Sequence, residues 1–135
     1  MIRILIVDDS RMQSKIYEGY LRDRFQCEVA PDGIDAVMLF KTAIQEKNYF
    51  LFCIMDMSMQ VMNGAEAVEK IRKLEGLNPD APKSYIILAT SMTDHEMANE
   101  TALNGDLVDI VLRKPITRDQ LLGTIQNAIR KRAGA

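Results

Sequence analysis

Tryptophan is absent from this sequence, and cysteine, histidine and proline are scarce at two, one and four residues. Cys27 and Cys53 lie far apart, and His95 is the sole histidine, so neither a zinc-ligand set nor a disulfide scaffold is supported. Both thiols are expected to be buried and inert, and His95 to face water. No apolar run approaches the roughly 18 residues of a membrane span, and Arg3 and Asp8 break up the N-terminal stretch, so neither a span nor a secretory signal is expected. The expected compartment is the cytoplasm. Excess positive charge is missing too: 17 Lys and Arg against 19 Asp and Glu leave a net charge of -2. That balance argues against direct nucleic-acid binding, which must neutralise many phosphates. No glycine-rich loop of the dinucleotide or P-loop kind follows an apolar run, and no nucleophile elbow surrounds a serine.

The chain holds 135 residues, 47% of them apolar. This suits one domain over 1–135, burying about two-thirds of its unfolded surface. Short β-branched apolar runs at 2–7, 27–30, 51–55, 85–89 and 108–112 alternate with longer stretches of helical periodicity. The runs are mostly apolar rather than alternating, which predicts strands buried on both faces. Helix starts are signalled by capping boxes at Ser10 with Gln13, Thr93 with Glu96 and Thr117 with Gln120, and by Asp32 before Gly33. In the last helix Leu121, Leu122, Ile125, Ala128 and Ile129 form one stripe, while Arg118, Gln126 and Arg130 face away. Five strand–helix units with short connections imply an α/β fold, a doubly wound three-layer sandwich around a five-stranded parallel sheet. Residues 74–84, with Gly76, Pro79 and Pro82, form the longest expected loop. Arg130-Lys131-Arg132 is expected to be a solvated helix end favoured by the dipole, within a basic tail or linker stub at 130–135.

Ligands of such sheets bind beyond the carboxyl ends of the strands. There the sequence offers Asp8-Asp9-Ser10 after the first run, Asp56-Met57-Ser58 after the third, Thr90-Ser91 after the fourth and Lys114-Pro115 after the fifth. If Asp8, Asp9 and Asp56 converge, each carboxylate pair about 4 Å apart repels by roughly 4 kcal/mol at an effective dielectric of 20. Either one of them protonates or a hard divalent cation binds, and an oxygen ligand set suits Mg²⁺. Carboxylate, cation, lysine and hydroxyl together are what phosphoryl transfer onto an aspartate requires. The methionines near Asp56 (Met55, Met57, Met59 and Met62) are expected to be packing residues rather than a metal box.

These motifs resemble the receiver domains of two-component response regulators. Ile4-Leu5-Ile6-Val7-Asp8-Asp9-Ser10 is similar to the family's first strand, and the stretch from Met55 through Asp56 and Asn63 to Gly64 to its phosphoacceptor strand and loop. Leu88-Ala89-Thr90-Ser91 and Arg113-Lys114-Pro115 match its hydroxyl-bearing strand and its lysine-proline pair. The resemblance implies a flavodoxin-like (βα)₅ fold of strand order 2-1-3-4-5. It implies phosphorylation of Asp56 by a sensor histidine kinase or histidine phosphotransfer protein. It further implies Mg²⁺ held by Asp9, Asp56 and the Ser58 carbonyl, with Asp8 acting through water, and Thr90 and Lys114 bonded to phosphoryl oxygens. Such a domain catalyses its own phosphorylation and slow dephosphorylation without being a dedicated enzyme. Its expected readout face toward a downstream effector is the fourth helix, fifth strand and fifth helix, and a homodimer through the fourth and fifth helices is possible.

Two positions depart from the family pattern. Gln60 replaces the proline usual in the loop after the phosphoacceptor, which predicts a less rigid loop. Val111 replaces the aromatic three residues before the lysine, and its stiff, small side chain predicts a muted or rerouted signal. Two other readings use the same residues: a receiver-like interaction module that is never phosphorylated, and a haloacid-dehalogenase-like phosphatase. The phosphatase requires a second aspartate two residues after its nucleophile, on the first strand; here that position is Ser58 and the strand is the third.

Overall fold

The computed structural model describes residues 1–59, 61–91, 93 and 107–134. The elements among them, in order, are β1 (Arg3–Val7), α1 (Arg11–Leu21), β2 (Gln26–Ala30), α2 (Gly33–Gln45), β3 (Phe50–Asp56), α3 (Gly64–Leu77), β4 (Tyr85–Thr90), β5 (Ile110–Arg113) and α4 (Arg118–Gly134). The helix expected after Thr93, including Glu96 and His95, lies outside the described residues, as does Gln60. All five strands pair in parallel as one sheet of order β2-β1-β3-β4-β5. Among the described residues no helix is long and apolar enough to cross a membrane.

Successive strand residues point to opposite faces, so strands that are apolar throughout need a helical layer on each side. Leu5, Val7, Cys53, Met55, Ile86 and Leu88 form one face, packed against Ala36 and Phe40 of α2 and Val68 and Ile71 of α3. Ile4, Ile6, Phe52, Ile54, Ile87 and Ala89 form the other, packed against Tyr17 and Leu21 of α1 and Leu121 and Ile125 of α4. Each such aliphatic side chain, fully buried, contributes about 1.5–3 kcal/mol. Met55, Met57 and Met59 are buried in the first of these cores, with Met62 packed against it.

Helix starts follow the expected caps. Ser10 Oγ accepts the Gln13 N–H at 3.2 Å, Asp32 Oδ1 the Asp35 N–H at 2.8 Å, and Thr117 Oγ1 the Gln120 N–H at 3.1 Å. A fourth cap, Asn63 Oδ1 accepting the Glu66 N–H at 2.9 Å, starts α3. Its Asn-x-x-Glu spacing is a signal present in the sequence and unused above.

Three expectations require correction. β2 is not buried on both faces: Gln26 and Val29 are exposed and Cys27 is only half-buried, because β2 is an edge strand. The expected loop 74–84 starts later, since α3 continues to Leu77. Glu75 holds that last turn. It is 8% exposed, pairs with the Arg72 guanidinium at 2.8 Å and accepts the Ser84 N–H at 2.7 Å. The fifth strand begins at Ile110 rather than at 108, because Asp109 uses its side chain where a backbone carbonyl would serve, accepting the Ile86 N–H at 2.8 Å. As expected from the helix dipole, the basic residues Arg130, Lys131 and Arg132 form the end of α4. Arg132 anchors that end of the helix by donating to the Lys83 carbonyl at 2.7 Å.

Arg72 unites the rim at the amino ends of β4 and β5. It donates to the carbonyls of Leu107 and Ser84, at 2.8 and 2.9 Å, and pairs with Asp109 at 3.0 Å. This clamp sets where β5 enters the sheet, and hence where Lys114 emerges from its far end.

Candidate functional site

The register of the central strands builds the site. Val7 pairs with Met55, so Asp8 and Asp56 are neighbours one residue further along β1 and β3. Asp56 in turn pairs with Ala89, which puts Thr90 one residue beyond it on β4. The ladders run slightly past the strands, with Asp8 N–H donating to the Ala30 carbonyl at 3.2 Å and Met57 N–H to the Ala89 carbonyl at 2.9 Å. Lys114 N–H donates to the Thr90 carbonyl at 2.7 Å, turning the lysine toward the same rim. The Lys114-Pro115 peptide bond is cis.

Side-chain oxygens of Asp8, Asp9 and Asp56 lie within 4.8 Å of one another. Asp8 and Asp56 are each 3% exposed, whereas Asp9 faces solvent. The Lys114 ammonium is 2.9 Å from Asp56 Oδ1 and 3.7 Å from Asp8 Oδ2. Asp56 Oδ1 also accepts the Ser58 N–H at 3.2 Å, and Asp8 Oδ1 the Ser10 N–H at 2.9 Å. Asp8 Oδ2, although buried, receives no hydrogen bond from any of the described residues. Burial raises the pKa of Asp8 above its ordinary value; the Asp56 and Asp9 charges add to the rise, while the Ser10 N–H and Lys114 oppose it. Of the six residues singled out in the sequence, Asp8, Asp9, Asp56 and Lys114 meet through their side chains. Ser58 meets them through its backbone, and Thr90 joins by register.

A buried carboxylate oxygen without a donor, beside a second buried carboxylate and an exposed third, is a donor set that fits a hard divalent cation. Gly64 lets the start of α3 approach the backbone at the end of β3. Its N–H donates to the Met57 carbonyl at 3.0 Å, and a Cβ there would overlap the Asp56 carbonyl oxygen.

A model of the response regulator receiver domain matches residues 4–126. This chain belongs to the response regulator receiver domain family. It is 31% identical over 115 residues to the response regulator mcs4 of Schizosaccharomyces pombe, covering 82% of this chain and 20% of that protein. It is 32% identical over 129 residues to the autoinducer 1 sensor kinase/phosphatase LuxN of Vibrio harveyi, covering 95% of this chain and 14% of that one. The chain thus spans about a fifth or less of the curated relatives it matches. Among solved structures it resembles the chemotaxis protein CheY4 of Vibrio cholerae, at 30% identity and a TM-score of 0.73, covering 94% of this chain and 98% of that one. The receiver of Ssk1 from Saccharomyces cerevisiae, solved in complex with the histidine phosphotransfer signalling protein Ypd1, shares the fold at 22% identity and a TM-score of 0.77, covering 92% of this chain and 86% of that one. Membership places this receiver domain in two-component signalling, and the order 2-1-3-4-5 is that of the flavodoxin-like fold.

Two aromatic residues of α1 escape the sequence reading. Tyr17 and Tyr20 occupy the inner side of α1, their rings 6.4 Å apart. Tyr17 is 1% exposed, and its hydroxyl has no partner among the described residues. Burial raises its pKa, with the charges of Asp8 and Asp56 adding to the rise. Their i, i+3 spacing marks a helix face, but aromatics on such a face read as core.

Proposed function

We propose that this receiver domain is a phosphorylation-driven switch in which Asp56 accepts a phosphoryl group from a histidine kinase or histidine phosphotransfer protein. The observation that carries this reading is the Lys114 ammonium 2.9 Å from Asp56 Oδ1 within a rim of three carboxylates. An Asp56 oxygen bonds phosphorus as the P–N bond to the donor's imidazole breaks, and the imidazole nitrogen takes up a proton. Lys114 and the Thr90 hydroxyl then bond the phosphoryl oxygens. Asp9, Asp56 and the Ser58 carbonyl would hold Mg²⁺, with Asp8 acting through water. When bound, that ion supplies neutralising charge to the carboxylates and phosphoryl oxygens.

Phosphorylation adds about two negative charges to a site already crowded with carboxylates. It biases an inactive–active equilibrium only as far as the two states differ in contacts to that charge. The readout face toward an effector comprises β5, α4 and the segment preceding β5. Val111, half-buried against the core on the α2 and α3 side, offers less area to swing than an aromatic would. We therefore expect changes at Val111 to stay smaller than those in the segment before β5.

The test is mass measurement after incubation with Mg²⁺ and acetyl phosphate or a phosphoramidate. The expected result is the gain of one phosphoryl group, abolished by Asp56→Asn and by a chelator. No gain with any donor would leave an interaction module, and sustained phosphate release from many substrates would point to a phosphatase.

A further inference from the structure

Lysine is a flexible point charge, so its ammonium serves a chemical step only if the backbone beneath it is fixed. Upstream of the lysine side chain, Lys114 N–H is tied to the Thr90 carbonyl at 2.7 Å. Downstream, Pro115 has no N–H to give, and the Thr117 hydroxyl is occupied in capping α4. The residue between them, Ile116, is 4% exposed. Its carbonyl accepts the Tyr20 hydroxyl at 3.3 Å, across 96 residues of sequence.

The other end of α1 is tied to the acidic cluster. Ser10 caps the helix and donates its N–H to Asp8. One helix therefore touches both charged partners: Asp8 through its first turn, and the lysine loop through Tyr20. Resting on the phosphoacceptor reading above, we propose that Tyr20 is a positioning residue for Lys114, acting through the Ile116 carbonyl to hold the ammonium at Asp56. Tyr20 touches neither the acidic cluster nor the transferred group. At 3.3 Å the bond is long for a hydroxyl donor, so its effect is that of one modest neutral hydrogen bond.

Tyr20→Phe keeps the ring beside Tyr17 and removes only the hydroxyl. In the metal-free protein carrying ¹³C-labelled lysine, the Lys114 Cε resonance is expected to move toward that of a free lysine. With Mg²⁺ and acetyl phosphate, the initial rate of phosphorylation is expected to fall about three- to tenfold, the span of one neutral hydrogen bond. Mg²⁺ affinity, for which the carboxylates stay in place while the competing Lys114 ammonium loosens, is expected not to fall. A phosphorylation rate equal to that of the unmodified protein overturns the proposal. So does a parallel loss of rate, Mg²⁺ affinity and stability, which marks a packing role alone. If the unmodified protein takes up no phosphoryl group, the phosphoacceptor reading fails separately. The Lys114 resonance then decides the tether by itself: a shift in Tyr20→Phe supports it and an unmoved signal overturns it.

Discussion

Lys114 and Asp8 stand 3.7 Å apart, and the Asp8 oxygen facing the ammonium is buried with no hydrogen-bond donor among the described residues. In the metal-free protein the lysine is thus the counter-charge for two buried carboxylates at once.

Lys114→Met removes that counter-charge and leaves Asp8 and Asp56 opposed. The metal-free protein is expected to lose about 2 kcal/mol in urea unfolding, the cost of leaving buried charge uncompensated. Added Mg²⁺ should raise the midpoint of the variant more than that of the parent. Equal responses to Mg²⁺ would contradict the pairing.

Asp8→Asn has the opposite sign. An amide oxygen still accepts the Ser10 N–H, while the repulsion with Asp56 and Asp9 and the cost of a buried charge disappear. The metal-free protein is expected to gain roughly 1–2 kcal/mol, and Mg²⁺ should stabilise it less. A lowered melting temperature in chelator would refute this.

The two cysteines predict an alkaline response. Burial pushes the Cys53 thiol up to about 12 and Cys27 up to about 11. A raised pKa means the fold favours the protonated thiol. The associated stability is present below the ordinary thiol value and is lost as pH climbs through the folded value. For Cys53 the slope approaches about 1.4 kcal/mol per pH unit between pH 9 and its folded pKa. Stability measured from pH 8 to 11 should fall more steeply in the parent than in Cys53→Ala. A disulfide reagent at pH 8 should label at most one thiol in the native protein and two in urea.

The Arg72 clamp supplies a prediction far from the acidic rim. Arg72 and Glu75 side chains are 9% and 6% exposed. Arg72→Met strands Glu75 as a buried charge, and the expected loss is about 3–5 kcal/mol. Adding Glu75→Leu should recover part of it, because a hydrophobic pair tolerates burial better than a lone carboxylate. Chemical unfolding of the single and double variants reads both effects.

The parallel sheet, the two helical layers and the meeting of Asp8, Asp9, Asp56 and Lys114 were legible in the residues, whereas the strand order came only with the family resemblance. Apolar strand runs and capping residues are local signals, and the polar residues follow the strands at fixed offsets. Less legible was anything set by position in the sheet. Cys27 and Cys53 sit in similar apolar runs, yet only the interior strand buries its thiol. Likewise, Gly76 and the prolines suggested that α3 ends early, whereas Glu75 extends it by reaching Ser84, nine residues away in sequence. The Tyr20–Ile116 bond joins residues 96 positions apart and has no local signature at all.

Gly64 has a mechanical consequence. With no side chain between them, the first turn of α3 rests directly on the backbone of Asp56, and its N–H grips Met57. There is no cushion at this joint: if a reaction at Asp56 shifts the main chain beneath it, α3 is geared to that shift from its first residue onward. The path for motion out of the rim on this side is peptide against peptide, and even one added methyl group at position 64 would pry it apart.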